Sequence, residues 1–64
     1  MQNYNRIEKY KNATLYYLYD KLHRIDGPAE EYVYGTQFWW IEGEQLKCKT
    51  QEEFERYIKL KLFW

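Results

Sequence analysis

A chain of 64 residues with one cysteine and one histidine is a single domain, 1–64, that closes no internal disulfide and has no Cys/His cluster at zinc spacing. Its ten basic and ten acidic side chains cancel, which removes the general attraction for phosphate backbones and anionic membranes that a basic chain carries. Three Trp, eight Tyr and three Phe supply the apolar bulk that so small a domain needs in place of staples.

In chain order, the first residues, Met1-Gln2-Asn3-Tyr4-Asn5-Arg6, hold no apolar stretch of the secretory kind, and no run reaches the length of a membrane span. The expectation is a protein of the cytoplasm with no membrane contact and an unused Asn12-Ala13-Thr14 sequon. Residues 4–47 are rich in β-formers and read as four strands over 7–10, 14–19, 31–34 and 37–41. Tight turns fit at Lys11-Asn12, Tyr34-Gly35 and Glu42-Gly43. A longer turn spans 24–29, where Asp26-Gly27 favours positive φ and Pro28 blocks a helix. Residues 50–62 predict a helix. Thr50-Gln51-Glu52-Glu53 forms a capping box, Glu52 and Arg56 stand at favourable i,i+4 spacing, and Phe54, Tyr57, Ile58 and Leu62 share an apolar face.

A shift of 23 positions lays Leu15-Tyr16-Tyr17-Leu18 on Phe38-Trp39-Trp40-Ile41, Glu8 on Glu31, Tyr10 on Val33, Asn12 on Gly35 and Asp20 on Gly43. Each unit of about 23 residues is then a β-hairpin whose second strand reads apolar–aromatic–aromatic–apolar. The expected architecture is α+β: a small antiparallel β-meander of about four strands, from two hairpin repeats, closed by one C-terminal helix. Strand alternation puts the members of each aromatic pair on opposite faces, one toward the helix and one outward.

Leu22-His23-Arg24-Ile25-Asp26-Gly27-Pro28-Ala29 resembles the LHR-x-DGPA signature of short repeats in proteins of tailed bacteriophages and large DNA viruses, which are loosely similar to MORN-type β-hairpin repeats. The resemblance covers residues 7–46. The second unit keeps Gly35, Trp39-Trp40 and Glu42-Gly43, but Lys47-Cys48-Lys49 and the helix stand where a second HR-x-DGPA would fall. The resemblance implies a phage-encoded accessory protein and attaches no enzymatic activity or cofactor to it.

Chemistry is weighed residue by residue. His23 beside Asp26 is a conceivable general base and Cys48 a conceivable nucleophile, its pKa lowered by Lys47 and Lys49. A lone histidine without a nucleophile motif reads better as structure. The expectation is therefore no enzyme, no metal and no cofactor, with His23, Arg24, Asp26, Gly27 and Pro28 building a turn in which Asp26 caps N–H groups. The aromatics suit a protein-binding face, with Tyr17, Tyr19, Trp39, Trp40 and Trp64 as anchors. The reading is a module that inhibits or redirects a host or anti-phage defence protein in the host cytoplasm, and that self-associates as a homodimer. The alternatives are a single-stranded nucleic-acid binder stacking bases on these rings, which zero net charge disfavours, and a structural piece of a phage assembly.

Overall fold

The computed structural model describes residues 2–62, and its architecture is α+β: an antiparallel meander followed by a C-terminal helix. Among the described residues, seven short strands precede the helix: β1 (Arg6–Lys9), β2 (Ala13–Leu18), β3 (Lys21–Leu22), β4 (Glu30–Tyr32), β5 (Gln37–Phe38), β6 (Trp40–Ile41) and β7 (Glu44–Gln45), then α1 (Gln51–Leu62). Strands β1, β2, β4 and β5 lie in that order, β3 joins the edge of β2, and β6 and β7 form a two-stranded ribbon.

The strands outnumber the expected four because each apolar strand folds back on itself. After Leu18 the chain reverses at Tyr19-Asp20 and pairs Tyr17 with Leu22 and Leu18 with Lys21. After Ile41 it reverses at Glu42-Gly43 and pairs Trp40 with Gln45 and Ile41 with Glu44. Tyr19 (φ 56°) and Glu42 (φ 50°) both take left-handed backbone, the twist that two-residue hairpin loops require. The return strands extend alike: His23 N–H donates to Tyr16 O, and Leu46 N–H donates to Trp39 O. All these pairs stand 23 apart. The expected strand 37–41 breaks at Trp39, because β5 pairs with β4 on one edge while β6 pairs with β7 on the other.

The first strands follow a different offset. Tyr10 N–H donates to Ala13 O around Lys11-Asn12, but Tyr32 N–H donates to Thr36 O around the longer loop 33–35. Gly35, at φ 102°, supplies the left-handed residue that such a three-residue loop needs. The inserted residue makes Glu8 equivalent to Glu30 and Tyr10 to Tyr32, rather than to Glu31 and Val33, which corrects the strict 23-residue alignment. Both units then carry the same contact: Tyr10 Oη donates to Glu8 Oε1, and Tyr32 Oη donates to Glu30 Oε2.

Helix α1 starts with the expected Thr50 cap, but the reciprocal Glu53 bond falls one residue before the cap. Thr50 Oγ1 accepts from Glu53 N–H at 3.2 Å, while Glu53 Oε1 reaches back to Lys49 N–H at 3.2 Å. Arg56 bonds Glu52 at 3.0 Å, and acids crowd the first turn and lysines the last, complementing the dipole. The helix buries Phe54 and Ile58 against Trp39 and Ile41, with Ile25, Leu46, Cys48 and Tyr57 packed around them. Trp39 and Phe54, at 2% and 0% exposure, lie 6.3 Å apart between ring centroids, and Trp39 Nε1 donates to Gln51 Oε1 at 3.0 Å. This is the compact core, and it belongs to the second unit. No residue of β1, β2 or β3 is fully buried.

Truncating either ring leaves a cavity that two small elements cannot close. Trp39→Ala and Phe54→Ala should each lower unfolding free energy by about 3–5 kcal/mol. Helix circular dichroism and tryptophan fluorescence should remain coincident in denaturant melts. A loss below about 1 kcal/mol, or a helix that melts apart from the sheet, would place the core elsewhere.

Candidate functional site

The segment between β3 and β4 is an excursion pinned at both ends to one residue. Tyr16 O accepts from His23 N–H at 3.0 Å, and Tyr16 N–H donates to Ala29 O at 2.8 Å. Arg24 fills the loop so formed. Its guanidinium lies 4.0 Å over the Tyr16 ring and donates to Asp26 Oδ1 at 2.8 Å, Glu31 Oε1 at 2.7 Å and Pro28 O at 3.2 Å. Its side chain is 19% exposed. Gly27 is buried beneath it, and a Cβ there would meet Arg24 Cζ at 2.8 Å. Glycine is thus required for close approach and not, as the sequence suggested, for a positive φ.

His23 is wholly buried and works at longer range than a turn. Its Nδ1 accepts from Glu42 N–H at 2.9 Å and its Nε2 faces Gln2 O at 2.5 Å, so these partners assign the tautomer protonated on Nε2. It ties the N-terminal segment to the second hairpin. Asp26 is engaged by Arg24 instead, which holds its carboxyl below the usual carboxylate range. The structure therefore does not bring His23 and Asp26 together as an acid–base pair. Burial, with the Glu53 carboxylate adding to it, pushes the Cys48 thiol up, the reverse of the lowering expected from Lys47 and Lys49. Among the described residues no group of His, Cys, Asp and Glu could hold a metal, and no helix is long and apolar enough to cross a membrane.

The sheet has one face toward the clamp and helix and a bare face turned away from both, whose aromatic members are half-buried. Cross-strand partners share a face, so the register sets Leu15, Tyr17, Leu22, Glu30, Tyr32 and Phe38 together. Tyr16, Arg24 and Glu31 stand on the other face. On the bare face Trp40 Nε1 donates to Glu30 Oε1 at 3.0 Å, while Tyr32 Oη donates to the second oxygen. Tyr34 stacks on Tyr32 at 5.4 Å and Phe38 meets it edge-on at 6.2 Å. At the far margin Arg6 lies 4.6 Å over Tyr17 and pairs with Glu8 at 3.2 Å. Hydrogen bonding to Glu30 raises the Tyr32 phenol above its ordinary value.

The anchors named from sequence divide accordingly. Tyr17 and Trp40 are half-buried members of the bare face, and Tyr19 projects from its turn at 64% exposure. Trp39 is enclosed against Phe54 and offers no surface to a partner, a correction that follows from its side of the alternation. Trp64 lies outside the described residues. Sequence reasoning did not select Tyr32, Tyr34, Phe38 and Glu30; their Glu-x-Tyr-x-Tyr spacing, which puts alternate residues on one face, was the available signal. Comparison with protein-family models, with curated proteins and with solved structures returns no match.

The clamp makes two testable demands. Gly27→Ala should destabilise by about 1–3 kcal/mol, because it expels a guanidinium held by four partners. In an Arg24→Ala background it should be nearly neutral, and additive effects in that double-mutant cycle would refute the packing account. Asp26, with its folded pKa depressed, contributes stability above the ordinary carboxylate value near 4 and loses it as pH falls through the folded value. Solvent screening keeps the effect modest. Asp26→Asn should flatten the acid limb of the stability–pH curve, and an unchanged limb would contradict the pairing.

Proposed function

We propose that this chain is a phage-encoded accessory protein that works by protein contact, binding a host or phage protein in the host cytoplasm and so inhibiting or redirecting it. The phage origin rests on the Leu22–Ala29 resemblance alone. The mode of action rests on one observation: a half-buried sheet face of Leu15, Tyr17, Tyr32, Phe38 and Trp40 turned away from the clamp, with the Glu30 carboxylate held in its midst by Trp40 and Tyr32. Aromatic rings with fixed polar tips are what binding hot spots are made of. A carboxylate among them favours a target that offers a Lys or Arg within an apolar patch.

The same carboxylate weakens the nucleic-acid reading. Stacking platforms add a basic groove, whereas here Glu8 and Glu30 stand on the stacking face and Arg6 is already paired with Glu8. Self-association uses the same surface in this proposal: its row of aromatic rings can pack against the same row of a second copy under a two-fold.

The test is affinity capture from host lysate with Tyr17→Ala, Glu30→Lys and Trp40→Ala variants, each first shown folded. One stoichiometric protein lost on all three supports the proposal. Nuclease-sensitive recovery of many unrelated proteins supports the nucleic-acid rival. Light scattering should show a dimer at high micromolar concentration that Glu30→Lys weakens, and a clean monomer would remove the self-association part.

A further inference from the structure

The two units are internal comparisons for one another, and they differ at one edge. In the first unit the chain leaves β3, passes through the Arg24 loop and returns to the outer edge of β2 as β4, pairing Ala13 with Tyr32, Thr14 with Glu31 and Leu15 with Glu30. In the second unit, residues 36–38 are the counterparts of 13–15. Beyond β7, however, the chain runs through 46–49 into the helix, and among the described residues no strand pairs at the corresponding edge. The place that β4 fills in the first unit is a groove in the second, lined by Gln37, Phe38, Gln45, Leu46, Lys47 and further residues leading into the helix.

The backbone along that groove is set to pair. Because Tyr32 N–H donates to Thr36 O, the residues that exchange bonds with β4 are Thr36 and Phe38, and the Gln37 N–H and C=O point the opposite way. Trp39 O already bonds on that outer side, to Leu46 N–H. In the first unit the counterparts of these groups are satisfied by β4 and Ala29.

Charge specifies the occupant. Glu31 of β4 sits opposite Thr14 and bonds Arg24 at 2.7 Å. Gln37 is the counterpart of Thr14 and Lys47 that of Arg24, with Lys49 two residues beyond. A strand lying in the groove would set an acidic side chain against Lys47. The chain's own free edge strand, β1, is a poor fit. With Glu8 equivalent to Glu30, its Lys9 takes the Glu31 place and would face Lys47, which disfavours a head-to-tail array of copies.

We propose that the outer edge of residues 36–38 is a β-strand addition site for an acidic extended segment of a partner protein. It borders the bare aromatic face and shares Phe38 with it, but it is read from backbone pairing and the Lys47 charge, so it rests on the protein-binding reading only for its biological use.

The probe is a capped synthetic peptide with the sequence of residues 28–34, Pro-Ala-Glu-Glu-Tyr-Val-Tyr, titrated into the full-length protein and followed by backbone amide NMR. The account expects shifts concentrated at Gln37, Phe38 and Lys47. It also expects about tenfold or greater weakening on Lys47→Glu, and recovery when that variant meets the peptide carrying Glu31→Lys. Lys47 is exposed, and unchanged amide dispersion in the variant confirms its fold. Shifts confined to Tyr17, Tyr32 and Trp40 would overturn the edge site while leaving the aromatic-face proposal standing. Binding indifferent to Lys47→Glu would overturn it too, as would no binding at millimolar peptide. Capture of a host protein that survives Lys47→Glu but not Trp40→Ala separates the two sites.

Discussion

The Arg24 guanidinium is the contact on which the first half of the molecule depends. β1, β2 and β3 bury no side chain completely, and a lone hairpin of that kind is marginal in water. What holds it is a planar cation stacked on Tyr16 and bonded to Asp26, Glu31 and Pro28 O, inside a loop whose two ends both bond Tyr16. Arginine suits this place because one flat group stacks and donates in several directions at once. Asp26 orients it, Gly27 makes room for it, and Pro28-Ala29 turn the chain back to the sheet. Arg24, Asp26, Gly27 and Pro28 thus form one packing unit, while His23 and Ile25 of the same segment reach out to the N-terminal residues, the second hairpin and the helix core.

The second half answers the same problem with different material. Trp39 is the counterpart of Tyr16, and it is covered by Phe54 of the helix where Tyr16 is covered by Arg24. A second clamp would have brought a further strand back to the sheet edge. A helix instead brings Phe54 and Ile58 and a real core, but among the described residues no strand pairs with the outer edge of residues 36–38. Both proposed contact surfaces are read from that difference: the helix packs on the Trp39 side, and no described strand takes the place beside residues 36–38 that β4 takes beside β2.

Much of this was legible in the residues, and the failures have physical causes. The helix start was readable because Thr50 and Glu53 are local partners. The straddling of Trp39 and Trp40 followed from alternation, but alternation does not say which member turns inward. That depended on which side the helix docks, a tertiary choice. The offset of 22 between the first strands was hidden by one residue inserted beside Gly35. His23 was read as a turn residue, whereas its partners, Gln2 and Glu42, are remote in sequence, beyond any local rule.

The central claim is that clamp and helix stabilise the main sheet and the β6–β7 ribbon as a single cooperative structure. Native-state amide hydrogen exchange tests it most directly, since it reads the opening free energy of each segment. The Tyr16 and His23 amides should exchange with the same opening free energy as Phe54 and Ile58, and Arg24→Ala should lower all four together. If Tyr16 and His23 exchange as freely as a surface loop while the helix amides stay protected, the first unit owes nothing to the Arg24 clamp and the account is wrong.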